Sequence, residues 1–407
     1  MRTVDQHLED CLADIEPLAA IDLQLLDAHG CILAENVVTS AALPGFDNAS
    51  MDGYVVRAQD LAGADDAHPI ELPIMGDIPA GRPSQVSLQP GTGMRIMTGA
   101  PIPAGGDSVV PVEWTDGGVA HARIRQAPRV GEYVRKAGSD VGAGVEVLAA
   151  GTRLGPPQLA LLAAVGRDRV VCRPKPRVIV MSTGSELVEP GQPLAPGQIS
   201  ESNSFALAAA AKEAGSMAYR VGIVGDDPRL LMDTIEDQLI RADVIITTGG
   251  VSAGAYDVVK EVLSRLGTVT FEKVAMQPGM PQGFGTIGPD RIPIFTLPGN
   301  PVSAYVSFEV FVRPVLRRML GVEPLLRPTV RAVCAEDFTS PEGKRQFARG
   351  WLSVDEGRYV VKPFGGQSSH LVNDLAHANC FVVVPESVTH VDRGEAVTVM
   401  VLERRLS

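Results

Sequence analysis

The sequence predicts a multidomain α/β protein organised around a doubly wound, mainly parallel sheet. The chain has 407 residues, which corresponds to about two to four domains at roughly 100–200 residues each. Between residues 175 and 322, short apolar runs such as 177–181, 218–224 and 244–247 alternate with helical patterns. This alternation is typical of strand–helix–strand units in a parallel sheet. On both sides of this region, short strand patterns separated by Gly and Pro indicate β-rich domains.

These changes of pattern divide the chain into four predicted domains. A capping-box pair, Thr3 and Gln6, predicts an N-terminal helix. A second helical stretch is predicted around residues 23–33, and helical spacing returns at residues 145–166. The predicted domains are a discontinuous N-terminal α+β domain (1–45 and 141–174), a β-rich insert domain (46–140), the α/β domain (175–322) and a C-terminal β-barrel or sandwich (323–407).

The composition argues against several classes of protein. A formal net charge of −12 disfavours a general binder of nucleic acid or membrane surfaces. The five cysteines are scattered and include no CxxC pair, so we expect a reducing compartment rather than a disulfide framework or structural zinc site. The N-terminus lacks the apolar core of a signal peptide, and no stretch has the apolar length needed to span a bilayer. We expect a cytoplasmic protein.

The segment 243–257, DVIITTGGVSAGAYD, is the strongest indication of a ligand site. Its apolar, β-branched run ends at Thr247, and small residues follow as far as Gly254, before an acid, Asp257. This pattern predicts a buried strand that leads into a glycine loop at the edge of the sheet. Glycines allow backbone N–H groups to approach an anion, and a nearby acid can bind a metal ion. A strand followed by a tight glycine turn explains the same pattern, so the loop alone does not decide.

Acidic residues beside glycine or turn residues are candidates for metal binding and catalysis. Asp52 stands in SMDGY, Asp140 in GSDVGAG, Glu186 in STGSEL and Asp226 in GDDP, and Asp257 is the fifth. Each alone is better explained as a turn-former or helix cap. Glu186, Asp226 and Asp257 form a stronger set, because all three follow strands whose carboxyl ends share one rim of the sheet. Carboxylates at such a rim suit Mg²⁺ bound to a phosphate.

Other motifs add a hydroxyl group, an anion cradle and cations. Thr98 lies on a small-residue turn in RIMTGAPIP, which is equally a simple strand end. LPGNPVS places Pro298 and Pro301 around Gly299 and Asn300 just before a helix, where backbone N–H groups can bind an anion or form only a rigid turn. The sequence has no Ser-His-Asp grouping and no histidines at metal-ligand spacing. Candidate cations for an anionic substrate are Arg135, Lys136, Lys273, Lys344, Arg345 and Arg349.

Together and in order, these motifs resemble the molybdopterin molybdenumtransferase family, whose eukaryotic relatives include the gephyrin E domain. The resemblance covers essentially the whole chain, and the series of ordered motifs makes it specific where any single motif would be weak. The motifs are PGFDNASMDGY, RIMTGAPIP, GSDVGAG, STGSEL, TTGGVSAG with Asp257, LPGNPVS and GGQSSH.

The resemblance implies a four-part fold and a specific reaction. The expected parts are an elongated N-terminal domain, a β-rich insert, a molybdopterin-binding α/β domain and a C-terminal β-barrel. The expected assembly is a homodimer with the active site between subunits. The expected reaction inserts molybdate into the dithiolene of adenylylated molybdopterin, releases AMP and depends on Mg²⁺. Transient docking of a molybdopterin adenylyltransferase or of recipient molybdoenzymes is left open.

The resemblance also assigns roles to residues, position by position. The expected catalytic residues are Asp52, Thr98, Asp140, Glu186, Asp226 and Asp257, and the expected Mg²⁺ ligands are Glu186, Asp226 and Asp257. The expected substrate-binding residues are Thr248, Gly249, Gly250, Ser252, Gly254, Lys273, Pro298, Gly299, Asn300, Pro301, Arg345 and Ser369. In this interpretation, residues 248–254 and 298–301 bind the pterin and phosphate, and Ser369 with nearby cations binds molybdate. Asp52, Thr98 and Asp140 act from the partner subunit.

One departure from the family and three alternatives stay open. Gln277 and Met280 stand in QPGMP where many relatives have lysines. We therefore expect either a weaker attraction for molybdate there or a replacement by another cation, Lys273 or the pair Lys344 and Arg345. A molybdopterin adenylyltransferase uses the same α/β fold, but the additional domains disfavour it. A non-catalytic, gephyrin-like scaffold is disfavoured by the intact acids. The sequence does not separate molybdate from tungstate.

Overall fold

A computed structural model describes residues 1–82, 85–250, 256–364, 366 and 368–402, with the backbone alone at 256–258. The chain divides into two compact units. One unit consists of Met1–Leu23, Gly30–Ala34 and Val171–Ser407, and the other consists of Gln24–His29 and Glu35–Val170. The finer division into four domains stays a prediction. Among the described residues, no helix combines the length and the apolar character needed to cross a membrane.

The N-terminal helix forms as the sequence predicts. α1 (Val4–Leu12) begins after Thr3, whose Oγ1 accepts a hydrogen bond from the Gln6 N–H at 3.2 Å, while Oε1 of Gln6 accepts from the Thr3 N–H at 3.1 Å. These reciprocal bonds satisfy N–H groups that a helix start leaves unpaired. The predicted helix at residues 23–33 is wrong, because two short strands and a turn lie there. Gly30 has a φ of +80°, a left-handed conformation that favours the turn over helix.

The described residues from 13 to 173 form mainly short strands. In chain order they are β1 (Ile21–Gln24), β2 (Ile32–Leu33), β3 (Val37–Val38), β4 (Asn48–Ala49), β5 (Gly53–Val56), β6 (Ile70–Ile78), β7 (Gly93–Ile96), β8 (Ser108–Pro111), β9 (His121–Ile124), β10 (Val134–Arg135), β11 (Glu146–Leu148), the helix α2 (Pro156–Ala164) and β12 (Arg169–Arg173). Single turns of 3₁₀-helix follow β5 and β8, at Ala58–Leu61 and Val112–Trp114.

The second unit contains a five-stranded sheet in the order β8-β5-β7-β6-β9. β5 is antiparallel to β7, with Gly53 opposite Ile96. Glycine is required at that position, because a Cβ on Gly53 would lie 1.9 Å from the carbonyl oxygen of Val110. The antiparallel pairing brings the residue before β5, Asp52, to the same end of the sheet as the turn after β7, which contains Thr98.

The α/β region of the first unit follows the predicted alternation of strands and helices. Its elements are β13 (Arg177–Thr183), β14 (Leu187–Val188), β15 (Ile199–Ser200), α3 (Asn203–Glu213), β16 (Met217–Val224), α4 (Pro228–Leu239), β17 (Val244–Thr248), α5 (Tyr256–Leu266), β18 (Gly267–Lys273), β19 (Met276–Gln277), β20 (Pro281–Ile287), β21 (Ile292–Leu297), α6 (Pro301–Ser307) and α7 (Arg313–Leu320). A turn of π-helix, Phe308–Val312, joins α6 to α7.

The central sheet has the order β16-β13-β17-β21-β20-β18. β16, β13, β17 and β21 are parallel, whereas β20 is antiparallel to both β21 and β18. Alternate side chains of the buried strand β17 face opposite helical layers: Val244 and Ile246 pack with α3, α6 and α7, and Ile245 packs with α4 and α5. The prediction of a doubly wound, mainly parallel sheet is confirmed.

The C-terminal region forms the predicted β-barrel. Its elements are β22 (Thr329–Cys334), β23 (Phe338–Thr339), β24 (Arg345–Asp355), β25 (Arg358–Pro363), α8 (Val372–His377), β26 (Cys380–Val384), β27 (His390–Val391) and β28 (Ala396–Val401). The strand order β24-β25-β22-β28-β26 closes because β26 pairs back onto β24. β19 extends this barrel by pairing in parallel with β24, with Met276 opposite Arg345.

Candidate active site

A cavity of about 660 Å³ lies at the carboxyl ends of β13, β17 and β21. This rim is where open, mainly parallel sheets bind ligands. The volume is within the range of small-molecule sites, roughly 300–1,000 Å³. The lining residues are Ser182, Thr183, Gly184, Glu186, Leu187, Ile199, Ser200, Glu201, Ser202, Asn203, Asp226, Thr248, Gly249, Gly250, Pro281, Pro298, Gly299, Asn300, Pro301, His370 and Val372.

The structure brings much of the predicted α/β site together in this cavity. The predicted residues that line it are Glu186, Asp226, Thr248, Gly249, Gly250, Pro298, Gly299, Asn300 and Pro301. Ser252 and Gly254 lie outside the described residues. Asp257 is in the first turn of α5, and its side chain also lies outside what the structure describes. The roles assigned to all these residues stay predictions.

The glycine loop after β17 requires glycine at two consecutive positions. Gly249 has a φ of +91° and Gly250 a φ of +70°, which other residues rarely adopt. A Cβ on Gly249 would lie 2.3 Å from the carbonyl oxygen of Thr183, and one on Gly250 would lie 2.3 Å from a methyl group of Val259. The loop is therefore packed against β13 and α5 too closely to accommodate any side chain.

Glu186 and Asp226 line the cavity as exposed carboxylates. Oδ2 of Asp226 accepts a hydrogen bond from the Ser185 N–H at 3.2 Å, which ties the turn after β16 to the loop after β13. Because both carboxyl groups stay open to solvent, they retain oxygen atoms for a hydrated cation or a hydrogen-bond donor.

Glu201 and Asn203 line the cavity but escaped prediction from the sequence. Nδ2 of Asn203 donates to Oγ1 of Thr248 at 2.9 Å and to the carbonyl oxygen of Gly299 at 2.7 Å. The buried Glu201 accepts from Oγ of Ser182 at 2.8 Å. A polar ESNS run immediately before a predicted helix, beside the ligand-binding rim, is the signal that could have indicated them.

Ser369 meets the α/β region through the loop after β21. Its Oγ accepts a hydrogen bond from Nδ2 of Asn300 at 2.9 Å, and its carbonyl oxygen accepts from the Val302 N–H at 3.1 Å. The next residue, His370, lines the cavity. The segment around Ser369 therefore adjoins the cavity through His370, and the substrate-binding role of Ser369 stays a prediction.

Arg349 is the cation that supports this segment. Its guanidinium group is buried and donates to the carbonyl oxygens of Ser368, at 3.0 Å, and Gly366. Burial lowers the pKa of Arg349 from its usual value. Within the candidate cluster Lys344, Arg345 and Arg349, the structure thus places Arg349 beside Ser369.

Arg345 and Lys273, two predicted substrate-binding residues, are not among the described residues that line the cavity. Arg345 donates to both carboxylate oxygens of Asp5, at 2.7 and 2.8 Å, and lies 3.1 Å from Glu386. Two carboxylates therefore neutralise it. Lys273, the last residue of β18, borders a separate groove beside Arg2 and Glu272.

Among the side chains that the structure describes, no predicted Mg²⁺ ligand belongs to a group of three residues that could bind a metal ion. The group found is His7, Asp10 and Glu272. Arg2 already forms ion pairs with Asp10 and with Glu272, the latter at 3.4 Å. Burial lowers the pKa of His7 to about 4, so its ring is neutral at pH 7. These contacts give the cluster a structural role at the start of the chain.

The second unit places Asp52 and Thr98 in direct contact. Oδ1 of Asp52 accepts from the Thr98 N–H at 2.6 Å and from Oγ1 of Thr98 at 2.8 Å. These bonds lower the pKa of Asp52 from its usual value, the backbone bond contributing most. Asp52 also borders a cavity of about 290 Å³ that contains the Asp77–Arg95 ion pair. Asp140 is exposed and is not among the described residues that border it.

Comparison with known proteins identifies the family. The chain matches the MoeA N-terminal region (domain I and II) over residues 2–166, a probable molybdopterin binding domain over 179–318 and the MoeA C-terminal region (domain IV) over 331–402. It is 47% identical over 400 residues to molybdopterin molybdenumtransferase 2 of Mycobacterium tuberculosis (strain ATCC 25618 / H37Rv), covering 97% of this chain and 98% of the relative. The chain belongs to the molybdopterin molybdenumtransferase family.

Further members of this enzyme family agree with the assignment. The chain is 43% identical over 422 residues to molybdopterin molybdenumtransferase 1 of the same strain, with 99% of each chain covered. The crystal structure of a molybdopterin biosynthesis MoeA protein from Pyrococcus horikoshii is 33% identical, with a TM-score of 0.78 over 98% of this chain and 99% of that one. The fold and the domain order are therefore those of a molybdenumtransferase.

Gln277 shows how this member of the molybdenumtransferase family departs from the expected pattern. It lies at the end of β19, opposite Gln346 of β24, and is not among the described residues that line the cavity. Because a glutamine carries no charge, it adds no electrostatic attraction for an oxyanion. The nearest described cation to Ser369 in the hydrogen-bond network is Arg349, whose guanidinium binds the preceding carbonyl group.

Proposed function

We propose that the chain inserts molybdate into adenylylated molybdopterin and releases AMP. The observation that carries the proposal is the cavity, in which two carboxylates, a glycine loop and the loop after β21 meet at the carboxyl rim of the sheet. That combination suits a small ligand with a phosphate group, since glycines expose backbone N–H groups and the volume accommodates a small molecule. Family membership supports the specific reaction.

The phosphate end of the substrate would lie against Gly249 and Gly250. Their positive φ values and close packing fix the loop, so its backbone groups need little reorganisation on binding. Glu186 and Asp226 line the same cavity. Binding the substrate and the transition state equally well would not speed the reaction. The backbone N–H groups of the loop would therefore act on the charge that develops on the phosphoryl oxygens, and Glu186 and Asp226 would act through a bound cation.

We propose Mg²⁺ as the cofactor, with Glu186 and Asp226 as ligands and Asp257 as the third. Two exposed carboxylates beside a phosphate site fit this ion, which commonly keeps several waters and takes one or two protein carboxylates plus substrate phosphate. When bound, the ion would neutralise phosphate charge and stabilise the leaving AMP. Ser185 orients Asp226 through its backbone N–H, which keeps one oxygen of that carboxylate in place.

Molybdate would bind beside Ser369 and above the guanidinium of Arg349. The Ser369 hydroxyl is held by Asn300, and Arg349 binds the carbonyl groups of the same segment. A hydroxyl donor with a buried cation nearby suits a small oxyanion. Arg345 is not proposed for this role, since Asp5 and Glu386 neutralise it.

We further propose a homodimer and a cytoplasmic location. In the dimer, Asp52, Thr98 and Asp140 of one copy would serve the cavity of the other, as the family resemblance implies. The Asp52 carboxylate is exposed, its pKa is lowered, and Thr98 orients it. These properties support the proposal that Asp52 acts on a bound substrate. All five cysteines are buried thiols, which supports a reducing compartment.

The reaction is tested by following AMP release from adenylylated molybdopterin. The wild-type chain should release AMP only when molybdate and Mg²⁺ are both present, and it should not consume ATP when given molybdopterin. Asp226→Asn keeps the size of the side chain and should lower turnover by roughly 100-fold, because a charge at the phosphate is lost. ATP consumption with molybdopterin would instead identify an adenylyltransferase, and a folded wild-type chain without either activity would favour a scaffold.

A further inference from the structure

One short segment at the start of α3, Glu201–Asn203, contacts the ends of all three strands that form the cavity. Oε1 of Glu201 accepts from Ser182, at the end of β13, at 2.8 Å. Nδ2 of Asn203 donates to Thr248, at the end of β17, at 2.9 Å, and to Gly299, after β21, at 2.7 Å. The positions of the three loops relative to one another therefore depend on these two side chains.

The chemistry of its partners fixes the orientation of the Asn203 amide. The carbonyl oxygen of Gly299 can only accept a hydrogen bond, so the group facing it must be the NH₂. Oγ1 of Thr248 lies 3.1 Å from the carbonyl oxygen of Pro298 and donates its hydrogen there, which leaves it free to accept from Asn203. The reversed amide would oppose two oxygen atoms at 2.7 Å. Only an uncharged amide of this length meets both acceptors at once.

The other end of the amide has no hydrogen-bond partner among the residues that the structure describes. Oδ1 of Asn203 is buried and accepts no hydrogen bond from the residues that the structure describes. A buried acceptor without a partner costs stability, and such a group in a native fold calls for an explanation. The two bonds made by Nδ2 provide it, since they place the two loops that line the proposed phosphate site.

Hydrogen bonds of the neighbouring Glu201 hold the backbone around Asn203. The Glu201 carboxylate is 1% exposed and accepts from the backbone N–H and the Oγ of Ser204, both at 2.7 Å. Arg220 approaches the same carboxylate at 3.4 Å. These bonds hold the backbone at the start of α3, from which the Asn203 side chain extends toward the two loops.

We propose that Asn203 is a positioning residue that holds the glycine loop after β17 against the loop after β21 during phosphate cleavage. The inference rests on the proposed function, because it assigns the two loops to the phosphate end of the substrate. Asn203 acts through Thr248 and Gly299 and is distinct from Asn300, which binds Ser369. Its loss therefore affects the rate of the chemical step more than the formation of the substrate complex.

The test compares Asn203→Ala with Asn379→Ala. Asn379 is a buried asparagine of the barrel whose side chain bonds the backbone of Leu352 at 2.7 and 2.8 Å, and it is not among the described residues of the cavity. Asn203→Ala should lower kcat for AMP release by roughly 10- to 100-fold while KM changes less than about threefold, since small misplacements of reacting groups cost rate. Asn379→Ala should lower the melting temperature and leave kcat per folded molecule unchanged.

A double-mutant cycle with Thr248→Val separates positioning from general destabilisation. Valine keeps the shape of threonine and removes one of the two acceptors of Asn203. If Asn203 acts through Thr248, the double variant should lose no more than about threefold in kcat beyond the worse single variant. Fully additive losses, or an unchanged kcat in Asn203→Ala, would overturn the inference.

Hydrogen exchange gives a measurement that does not depend on the reaction. Backbone amides at residues 244–250 and 298–304 should exchange roughly tenfold faster or more in Asn203→Ala than in the wild type, and not in Asn379→Ala. Unchanged exchange in both loops contradicts the inference whatever the activity. A wild-type chain that releases no AMP refutes the proposed function, whereas an active wild type with an unaffected Asn203→Ala refutes only the role of Asn203.

Discussion

The cavity of the α/β region and the Asp52 site of the second unit are built in opposite ways. The cavity encloses about 660 Å³, and its loops are fixed by buried side chains such as Glu201 and by glycines with no room for a Cβ. Asp52 instead borders a space of about 290 Å³ as an exposed carboxylate that a single turn orients through Thr98.

We infer from this difference that the cavity and the Asp52 site have different roles. A site with a fixed shape can bind a ligand selectively, because its groups are positioned before the ligand arrives. A small, exposed site with a carboxylate held in its charged form can contribute a charge but little enclosure. We therefore propose that the cavity binds the substrate and that Asp52 acts on a substrate bound elsewhere.

The strongest test of these different roles is complementation between two inactive variants. Asp52→Asn and Asp226→Asn should each lower turnover by at least roughly 100-fold, because each removes a charge at the proposed reaction site. If the two regions serve one site across a homodimer, co-expression should restore about a quarter of wild-type activity, since half of randomly formed dimers are mixed and each contains one intact site.

The same experiment has a clear contrary outcome. Activity in the co-expressed sample that stays at the level of the single variants means that Asp52 and Asp226 of one chain serve the same site. Co-expression of Asp226→Asn with a second copy of Asp226→Asn is the control, and it should stay inactive.

The next largest effect is expected at the fixed wall of the cavity. Gly249→Ala should lower turnover roughly 100-fold and cost about 1–3 kcal/mol of folding free energy, because its Cβ would lie 2.3 Å from Thr183. Gly357 is the matched control, since it also has a positive φ, +77°, but open space around it.

Gly357→Ala should cost only about 1–2 kcal/mol and leave turnover unchanged, as it lies in the turn between β24 and β25. Thermal unfolding and AMP release measured on both variants separate strain from the steric clash. Equal activity in the two variants would show that the shape of the glycine loop is unimportant for the reaction.

A smaller effect is expected for the cation beside Ser369. Arg349→Gln should raise KM for molybdate by about tenfold, since the charge that supports the oxyanion site is lost. Arg345→Gln should leave that KM unchanged, because Asp5 and Glu386 already neutralise Arg345. Steady-state kinetics at varied molybdate concentration give the KM of both variants. A larger increase in KM for Arg345→Gln than for Arg349→Gln would assign the oxyanion site to Arg345.

The smallest effect concerns the pKa of Asp52. Thr98→Val removes one of two hydrogen bonds that lower this pKa and keeps the backbone bond, so the pKa should rise part of the way toward its usual value. The stabilisation from the ionised carboxylate is present above the unfolded-state pKa and is lost as pH falls through the folded-state pKa. In Thr98→Val this stabilisation should therefore be smaller, and its loss should be complete at a higher pH than in the wild type.

A titration followed by NMR measures that change directly. Asp116 is the control in the same unit, because backbone N–H groups of Arg123 and Gly118 lower its pKa and do not involve Thr98. A Thr98→Val variant in which the pKa of Asp52 stays as low as in the wild type would show that the hydroxyl group does not orient this carboxylate.

The sequence predicted those parts of the fold and of the site that depend on residues close together along the chain. The apolar runs and glycines around β17 predicted a buried strand and a ligand loop, and the acids Glu186 and Asp226 followed from their position after strands. The prediction of a helix at residues 23–33 was wrong because it gave more weight to the apolar spacing than to the turn signal of Gly30.

The other features of the site depend on contacts between residues that are far apart in the sequence. Arg345 and Arg349 lie on the same strand, yet Asp5 pairs with the first and the carbonyl group of Ser368 with the second. Asn203 carries no motif, since its partners lie far along the chain, as much as 96 residues away at Gly299. Single-sequence patterns contain no information on such pairings.

The most direct test of the phosphate site is a crystal structure of the wild-type chain with AMP and molybdate. We predict that the AMP phosphate lies against the backbone of Gly249 and Gly250, with Glu186 and Asp226 facing it, and that molybdate lies beside Ser369. AMP bound with its phosphate away from the loop after β17, in a crystal in which this cavity is open to solvent, would contradict the proposed site.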